Sequence, residues 1–149
     1  MREMCATAAD RVASTVSPQA LQVLDQQPRV RDYLAKAYGE GRISHAYLFT
    51  GPRGTGKTST AKILARALNC AECIRVAHRT HPDVRYLKPE SATGYLVSQV
   101  RELIDDAPLA PVRAKGKLYI LDDAGLLRDA SANALLKTIE EPPRGVHFV

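Results

Sequence analysis

Residues 51–58, Gly-Pro-Arg-Gly-Thr-Gly-Lys-Thr, match the pattern G-x-x-x-x-G-K-[ST] at every fixed position. The glycines of such a loop allow positive φ, so that successive backbone N–H groups point inward at a phosphate. Lys57 can then reach the β- and γ-phosphates, and Thr58 can offer its hydroxyl to Mg²⁺. The pattern predicts a site for ATP or ADP with Mg²⁺. The residues expected to bind the nucleotide are Gly51, Pro52, Arg53, Gly54, Thr55, Gly56, Lys57, Thr58 and Ser59.

The segments on either side of this loop support the interpretation. Residues 46–50 form a short apolar and aromatic run that predicts a buried strand. Residues 59–68 place Ile63, Leu64 and Leu68 on one helical face. A helix that starts at the loop would direct the positive end of its dipole at a bound anion. The order strand, loop and helix is the context that a phosphate loop requires.

Two acidic residues follow the apolar segment 117–121. A phosphate loop needs a carboxylate for its Mg²⁺, usually at the end of a hydrophobic strand, and Asp122 meets that description. Its distance along the chain from Lys57 leaves room for an intervening strand, which predicts that another strand separates the two segments in the sheet. Asp123 is the candidate catalytic carboxylate, because the resemblance to ATP-hydrolysing phosphate-loop proteins implies a glutamate there that polarises the attacking water.

Apolar periodicity elsewhere predicts alternating helices and strands. The helices are expected at residues 28–38, 96–107 and 129–141, and the strands at 83–87, 117–121 and 145–149. Together with the phosphate loop, this order predicts an α/β fold of the P-loop NTPase type, with a parallel sheet and helices on both faces. We expect residues 1–27 to be a partly ordered extension and residues 28–149 to form the nucleotide-binding domain, cut before its last strand.

The composition is that of an ordinary globular protein, with 45% hydrophobic and 25% charged residues. No run of residues is apolar enough for a membrane span or a signal peptide. The net charge is +5, but the cationic residues are scattered, so an anionic partner and a solvated surface both remain open. Three cysteines, an odd number, favour a reducing compartment and hence the cytoplasm.

Cys70, Cys73, His78 and His81 have the spacing C-x2-C-x4-H-x2-H, which is close to that of a compact zinc knuckle. Only one C-x-x-C pair is present, and His81 precedes a proline at the entry to a strand. A Zn²⁺ site on Cys70 and Cys73 is therefore one interpretation. The favoured interpretation is that the two cysteines are free thiols and the two histidines lie on the surface.

Two segments resemble the bacterial clamp-loader ATPases of the AAA+ superfamily. Residues 41–49, GRISHAYLF, resemble that family's entry strand, and residues 132–143, ANALLKTIEEPP, resemble its helix after the magnesium-site strand. The resemblance covers about residues 28–149. It implies an AAA+ domain in a subunit of DNA polymerase III that acts with the other loader subunits, gamma/tau and delta, to place the sliding clamp on primed DNA.

Within that family, residues 81–84 (HPDV), residues 92–95 (ATGY) and Asp123 are more similar to the delta-prime subunit than to gamma/tau, which is the close alternative. The resemblance implies a glutamate at the position of Asp123 in members that hydrolyse ATP. Aspartate is shorter by one methylene, about 1.5 Å, and a misplacement of about 1 Å can cost about 10²-fold in rate. We therefore expect the chain to be a member of the polymerase holoenzyme that binds nucleotide and hydrolyses it weakly or not at all.

The chain also departs from the family pattern. The family's zinc module has four cysteines, whereas the connector after Asn69 keeps only Cys70 and Cys73. The lid, the collar and the arginine finger would lie beyond Val149. Three functions stay open: a nucleotide-binding scaffold of the loader, an active gamma/tau-type motor and, from another class, a small nucleotide kinase, for which no acceptor-site pattern is present.

Overall fold

The structure is a computed structural model that describes residue 24 and residues 27–69, 74–114 and 116–149. The chain divides into two compact units, Met1–Ile43 and Ser44–Val149. Nearly all of the expected extension at residues 1–27 lies outside the described residues. The boundary at residue 28 therefore stays a prediction.

The first unit contains helix α1, Pro28–Gly39. A proline suits the first helical position, because the N–H that it lacks would have no intrahelical partner there. The helix ends at Gly39, and the backbone N–H of Glu40 donates to the Lys36 carbonyl at 3.0 Å. Gly41 follows with a φ of +64°, a left-handed conformation that glycine adopts without strain. The helix expected at residues 28–38 is confirmed.

The second unit is built on a parallel sheet of three strands in the order β1, β2, β3. Their bounds are Val84–Leu87 for β1, Lys117–Leu121 for β2 and Val146–Phe148 for β3. In the register, Val84 lies opposite Leu118, and Lys117 lies opposite Val146. All three strands were predicted, and their ends differ from the expected ones by at most one residue.

Helices connect the strands, as parallel pairing requires. The helices are α2 (Lys57–Asn69), α3 (Ile74–Ala77), α4 (Val97–Asp106) and α5 (Asp129–Glu140), with a 3₁₀ turn at Ala124–Leu126. The predicted helices are all present. Helix α4 ends at Asp106. Ala107 still has helical φ and ψ (−55° and −44°), and its N–H donates to the Leu103 carbonyl at 2.9 Å. The helix does not continue because Pro108 has no N–H to donate.

Helices cover both faces of the sheet, because successive side chains of a strand point to opposite sides. Tyr119 lies in a core with α4 and α5, which contribute Val100, Leu103 and Leu135. Leu118 and Ile120 point the other way and pack with residues of β1, α2 and α3. The buried residues of this second core are Ala61, Ala65, Val76, Val84, Leu118 and Ile120. The predicted two-sided α/β architecture is confirmed.

Residues 46–50 were expected to form a strand, but most of this segment does not pair with the sheet. Only Ala46 forms a bridge, to Phe148 in β3, supported by a hydrogen bond of 3.0 Å from the Tyr47 N–H to the Phe148 carbonyl. β3 is only three residues long, and among the described residues the segment has no sheet partner on its other side. The segment lies beside β3, on the side away from β2. A strand therefore separates the segment that precedes the phosphate loop from β2, which precedes Asp122, as the sequence predicted.

Candidate nucleotide-binding site

The loop before α2 has the backbone conformation that a phosphate cradle needs. Gly51, Gly54 and Gly56 have φ values of +142°, +85° and +86°. A Cβ at Gly54 or Gly56 would meet no atom within 4 Å, so the requirement for glycine comes from φ and not from crowding. The N–H groups of residues 54–56 donate to no acceptor in the described part of the chain. Such a row of free N–H groups can bind an anion.

Helix α2 starts where this loop ends. The N–H and the hydroxyl of Thr60 both donate to the Gly56 carbonyl, at 2.8 and 3.0 Å, which joins the first helical turn to the loop. The side chain of Thr60 is buried, so this junction is held from the inside. The positive end of the helix dipole therefore lies at the loop.

Lys57 closes the loop on itself. Its Nζ donates to the carbonyls of Gly51 and Pro52, at 2.8 and 2.7 Å. The Thr55 hydroxyl also donates to the Pro52 carbonyl, at 3.0 Å. An ammonium group has three donors, so one remains for a ligand in this geometry. Lys57 is thereby held at the loop, and its positive charge stays at the position where phosphate oxygens would be bound.

The predicted magnesium ligands come together from distant parts of the sequence. Thr58 stands in the first turn of α2, and Asp122 follows directly after β2; the Thr58 Oγ1 donates to Asp122 Oδ1 at 3.5 Å. The other carboxylate oxygen, Oδ2, lies 3.7 Å from the Nζ of Lys88. Hydroxyl and carboxylate oxygens are the ligands that Mg²⁺ prefers, so the donor set fits this ion.

These groups surround a cleft of about 350 Å³. Its lining consists of Arg53, Gly54, Gly56, Lys57, Thr58, Ser59, Asp122 and Asp123. Gly51, Pro52 and Thr55 do not line the cleft but form the part of the loop that Lys57 holds. A larger groove, of about 720 Å³, lies along β1 and contains none of the residues predicted to bind nucleotide.

Asp123 occupies an unusual backbone position at this cleft. Its φ is +53°, which few residues other than glycine, asparagine and aspartate adopt. Its carbonyl accepts a hydrogen bond of 2.9 Å from the Leu126 N–H in the 3₁₀ turn. The carboxylate is exposed and accepts no hydrogen bond from any described residue, so the turn holds only the backbone of Asp123.

Tyr95 supports the site, a role that the sequence analysis did not predict. Its buried hydroxyl donates to the carbonyls of Leu87 and Asp122, at 3.0 and 2.6 Å, and so joins the ends of β1 and β2. Burial, together with the negative charges of Asp122 and Asp123, raises the pKa of Tyr95. The hydroxyl therefore stays protonated and able to donate at any ordinary pH.

The loop before α4 also contacts the turn after β2. A Cβ on Gly94, whose φ is +126°, would lie 2.2 Å from the Leu126 carbonyl oxygen. The Tyr95 N–H donates to that same carbonyl at 3.3 Å, and the Ser131 hydroxyl of α5 donates to the Tyr95 carbonyl at 3.2 Å. In the sequence, the signal that could have indicated this contact was Gly94 followed by the aromatic Tyr95 in a predicted loop.

His81 is not the surface histidine that the sequence suggested. It is 6% exposed, and its Nδ1 accepts a hydrogen bond of 3.1 Å from the Asp83 N–H, because residues 81–83 turn tightly into β1. Burial lowers the pKa of His81. His78 is exposed, as expected. Cys70 and Cys73 lie outside the described residues, so the zinc interpretation remains untested.

The two-sided parallel sheet and the glycine-rich loop before α2 define an α/β domain of the P-loop NTPase type, of the AAA+ class. In the described part of the chain, no helix has both the length and the apolar content of a bilayer span. Residues 26–149 match the model of the family described as "DNA polymerase III, delta subunit". The chain belongs to this family.

Similar proteins carry related names. Over 135 residues the chain is 41% identical to DNA polymerase III subunit gamma/tau of Mycobacterium tuberculosis (strain H37Rv), an alignment that covers 83% of this chain and 23% of the relative. Over 144 residues it is 38% identical to subunit tau of Escherichia coli (strain K12) and of Bacillus subtilis (strain 168), covering 89% of this chain and 22% and 25% of those relatives. The chain thus spans about a quarter of their length.

These findings confirm the expected relationship to DNA polymerase III and refine it. The relatives are named gamma/tau or tau and not delta-prime, so the alternative assignment is better supported than the first one. The segments at residues 81–84 and 92–95, which favoured delta-prime, have structural roles here: they turn the chain into β1 and pack against the 3₁₀ turn.

Proposed function

We propose that this chain is the nucleotide-binding domain of a gamma/tau-type subunit of the bacterial DNA polymerase III clamp loader and binds ATP or ADP with Mg²⁺. The observation that carries the proposal is the meeting of Thr58 and Asp122 beside the phosphate loop. Two oxygen ligands from separate elements, next to free N–H groups, have little structural purpose without a phosphate and its cation.

Each part of the site has a role in this proposal. The N–H groups of residues 54–56 and the start of α2 bind phosphate oxygens, and Lys57 adds a positive charge to them. Thr58 and Asp122 hold Mg²⁺. When bound there, the ion would supply charge neutralisation to the phosphates. Asp123 is the residue of this chain that can orient a water molecule.

Lys57→Ala tests nucleotide binding. A charge-assisted hydrogen bond contributes about 1.5–3 kcal/mol, so the variant should bind a fluorescent ATP analogue at least about tenfold more weakly than the wild type. Lys62→Ala, which removes the same charge from another position on α2, is the matched control and should bind normally. Equal affinity of the Lys57 variant and the wild type would contradict the proposal.

A second candidate, the delta-prime-like scaffold with little hydrolysis, is favoured by Asp123. Its carboxylate is shorter than the glutamate that the family resemblance implies, and no described residue holds it in place. In this second proposal the subunit binds nucleotide and transmits that state to its neighbours, which complete hydrolysis.

Phosphate release at saturating ATP, with partner subunits present, separates the two candidates. A motor should turn over at about 1 s⁻¹ or faster. A scaffold should be far slower, and Asp123→Glu should then increase the rate at least about tenfold, since a carboxylate misplaced by about 1 Å can cost about 10²-fold. Asp123→Asn, which removes the charge at nearly the same size, shows how far the rate depends on a carboxylate at this position. A slow wild type with no gain from glutamate would contradict both explanations of this residue.

The partners follow from the same proposal. They are the other loader subunits directly, and the sliding clamp and primed DNA through the assembly. We place the protein in the bacterial cytoplasm, where replication occurs. Co-purification of the full chain with the other subunits of the loader tests this part independently of nucleotide binding.

A further inference from the structure

Lys88 does not line the nucleotide cleft, but it lies beside Asp122, which does. It belongs to no part of the phosphate-loop pattern. It follows β1 directly, and Asp122 follows the neighbouring parallel strand β2. Parallel strands end at the same edge of a sheet, so the two side chains meet there. The Lys88 Nζ lies 3.7 Å from Asp122 Oδ2, while Oδ1 accepts the hydrogen bond from Thr58. Each oxygen of this carboxylate therefore has its own partner.

The backbone that carries Lys88 is held firmly. The buried side chain of Gln99 donates through Nε2 to the Lys88 carbonyl at 2.8 Å, and its Oε1 accepts from the Leu96 N–H at 2.9 Å. On the other side, the Tyr95 hydroxyl joins Leu87 to Asp122. Residues 87–88 are thus fixed relative to Asp122 by two buried side chains, and the exposed ammonium starts from a defined position.

We infer that Lys88 is a built-in counter-ion of Asp122 that competes with Mg²⁺ for this carboxylate and so sets the Mg²⁺ concentration at which nucleotide binds. The inference rests on the proposed function, since it concerns the same cleft. It assigns to Lys88 a positioning role that differs from the phosphate-binding role of Lys57.

The physical reason is the sharing of one carboxylate between two cations. While the ammonium lies beside Oδ2, it neutralises part of the charge that would attract Mg²⁺, and a bound divalent ion would repel it. The Lys88 side chain is 59% exposed, so water and salt reduce this effect. From Coulomb's law at a dielectric constant near that of water, removal of the ammonium should lower the Mg²⁺ midpoint about threefold to tenfold.

The Mg²⁺ dependence of nucleotide binding tests the inference without any measurement of turnover. A fluorescent ADP analogue is titrated into the full chain at a series of Mg²⁺ concentrations and also in excess chelator. Lys88→Gln should shift the Mg²⁺ midpoint down about threefold to tenfold. Lys88→Arg, which keeps the charge, should restore the wild-type midpoint. Lys137→Gln, which removes a charge from an exposed position on α5 that does not line the cleft, should leave it unchanged.

The possible results separate the inference from the proposed function. If the wild type binds no nucleotide at any Mg²⁺ concentration, both fail. If it binds and Lys88→Gln leaves the midpoint unchanged, only the inference fails. A lower affinity of Lys88→Gln for nucleotide in chelator would assign Lys88 to the phosphates and also overturn the inference. Thermal unfolding of the ligand-free variants checks that folding is not responsible, since an exposed ion pair should contribute little to stability.

Discussion

Asp83 provides the sharpest test of how this domain is held together. Its carboxylate is 2% exposed and accepts hydrogen bonds from three successive backbone N–H groups, of Val112, Arg113 and Ala114, at 2.6, 2.8 and 2.8 Å. Its own carbonyl accepts from the Leu118 N–H at 2.8 Å. One residue thus joins the start of β1 to the loop before β2, and Asp83→Asn is the perturbation that changes this contact with the least change in shape.

The expected cost follows from these contacts. An amide oxygen can still accept, but the carboxylate charge is lost and the NH₂ group faces N–H donors. Hydrogen bonds to charged groups contribute about 1.5–3 kcal/mol each, so we expect Asp83→Asn to lower the free energy of unfolding by about 2–4 kcal/mol. For a domain of this size that corresponds to a decrease in Tm of about 5–15 °C.

The pH dependence has a defined sign. Burial by itself would raise the pKa of Asp83, but the three backbone donors outweigh it and the pKa is lower than the usual carboxyl value. A depressed pKa stabilises the folded state above the unfolded-state pKa of about 4, and this contribution is lost as the pH falls through the folded pKa. The difference in stability between wild type and Asp83→Asn should therefore be constant near neutral pH and shrink below about pH 4.

Urea denaturation between pH 3 and pH 7 measures both quantities, and amide hydrogen exchange at residues 112–114 reports the loop directly. Asp105→Asn, on the exposed side of α4, removes the same charge and is the control. A stability loss below about 0.5 kcal/mol at pH 7, within the range of ordinary surface substitutions, would refute the reasoning. So would a difference from the wild type that does not change with pH.

Three further substitutions, one of them a control, test contacts beside the site and at the other end of the sheet. Gly94→Ala would place a Cβ 2.2 Å from the Leu126 carbonyl oxygen at a positive φ, and it should cost about 3 kcal/mol or more in denaturant unfolding. Gly125→Ala, where a Cβ meets nothing within 4 Å, should cost less than about 1 kcal/mol. The Lys117 ammonium is buried and lies 3.1 Å from Asp106 Oδ2. Lys117→Met removes the closest cation of that carboxylate and should lower the free energy of unfolding by about 3 kcal/mol. A variant as stable as the wild type would count against this pairing.

The local elements were predictable because their causes are local. The period of apolar residues is a property of a short segment, and β2 came out at residues 117–121 as expected. Strand pairing is less local: residues 46–50 have a strand-like composition, yet only Ala46 forms a bridge, since a ladder needs a partner of matching length. The burial of His81 was missed for the same reason, because it depends on how the turn at residues 81–83 packs.

The class of site could be predicted from residue types alone. Glycine at the positions of positive φ, a lysine and a hydroxyl at the start of a helix are requirements of phosphate binding, and these are residue types that can be recognised in one short segment. The carboxylate at Asp122 could be proposed as well, from its place at the end of an apolar strand.

The way in which the Asp122 carboxylate is shared and held depends on the folded domain. Thr58 meets one oxygen of Asp122 and Lys88 lies near the other, while the Tyr95 hydroxyl binds the backbone of the same residue. These groups come from four separate segments. Distances between them depend on strand order, register and helix packing, which involve the whole domain, and no spacing in the sequence encodes them.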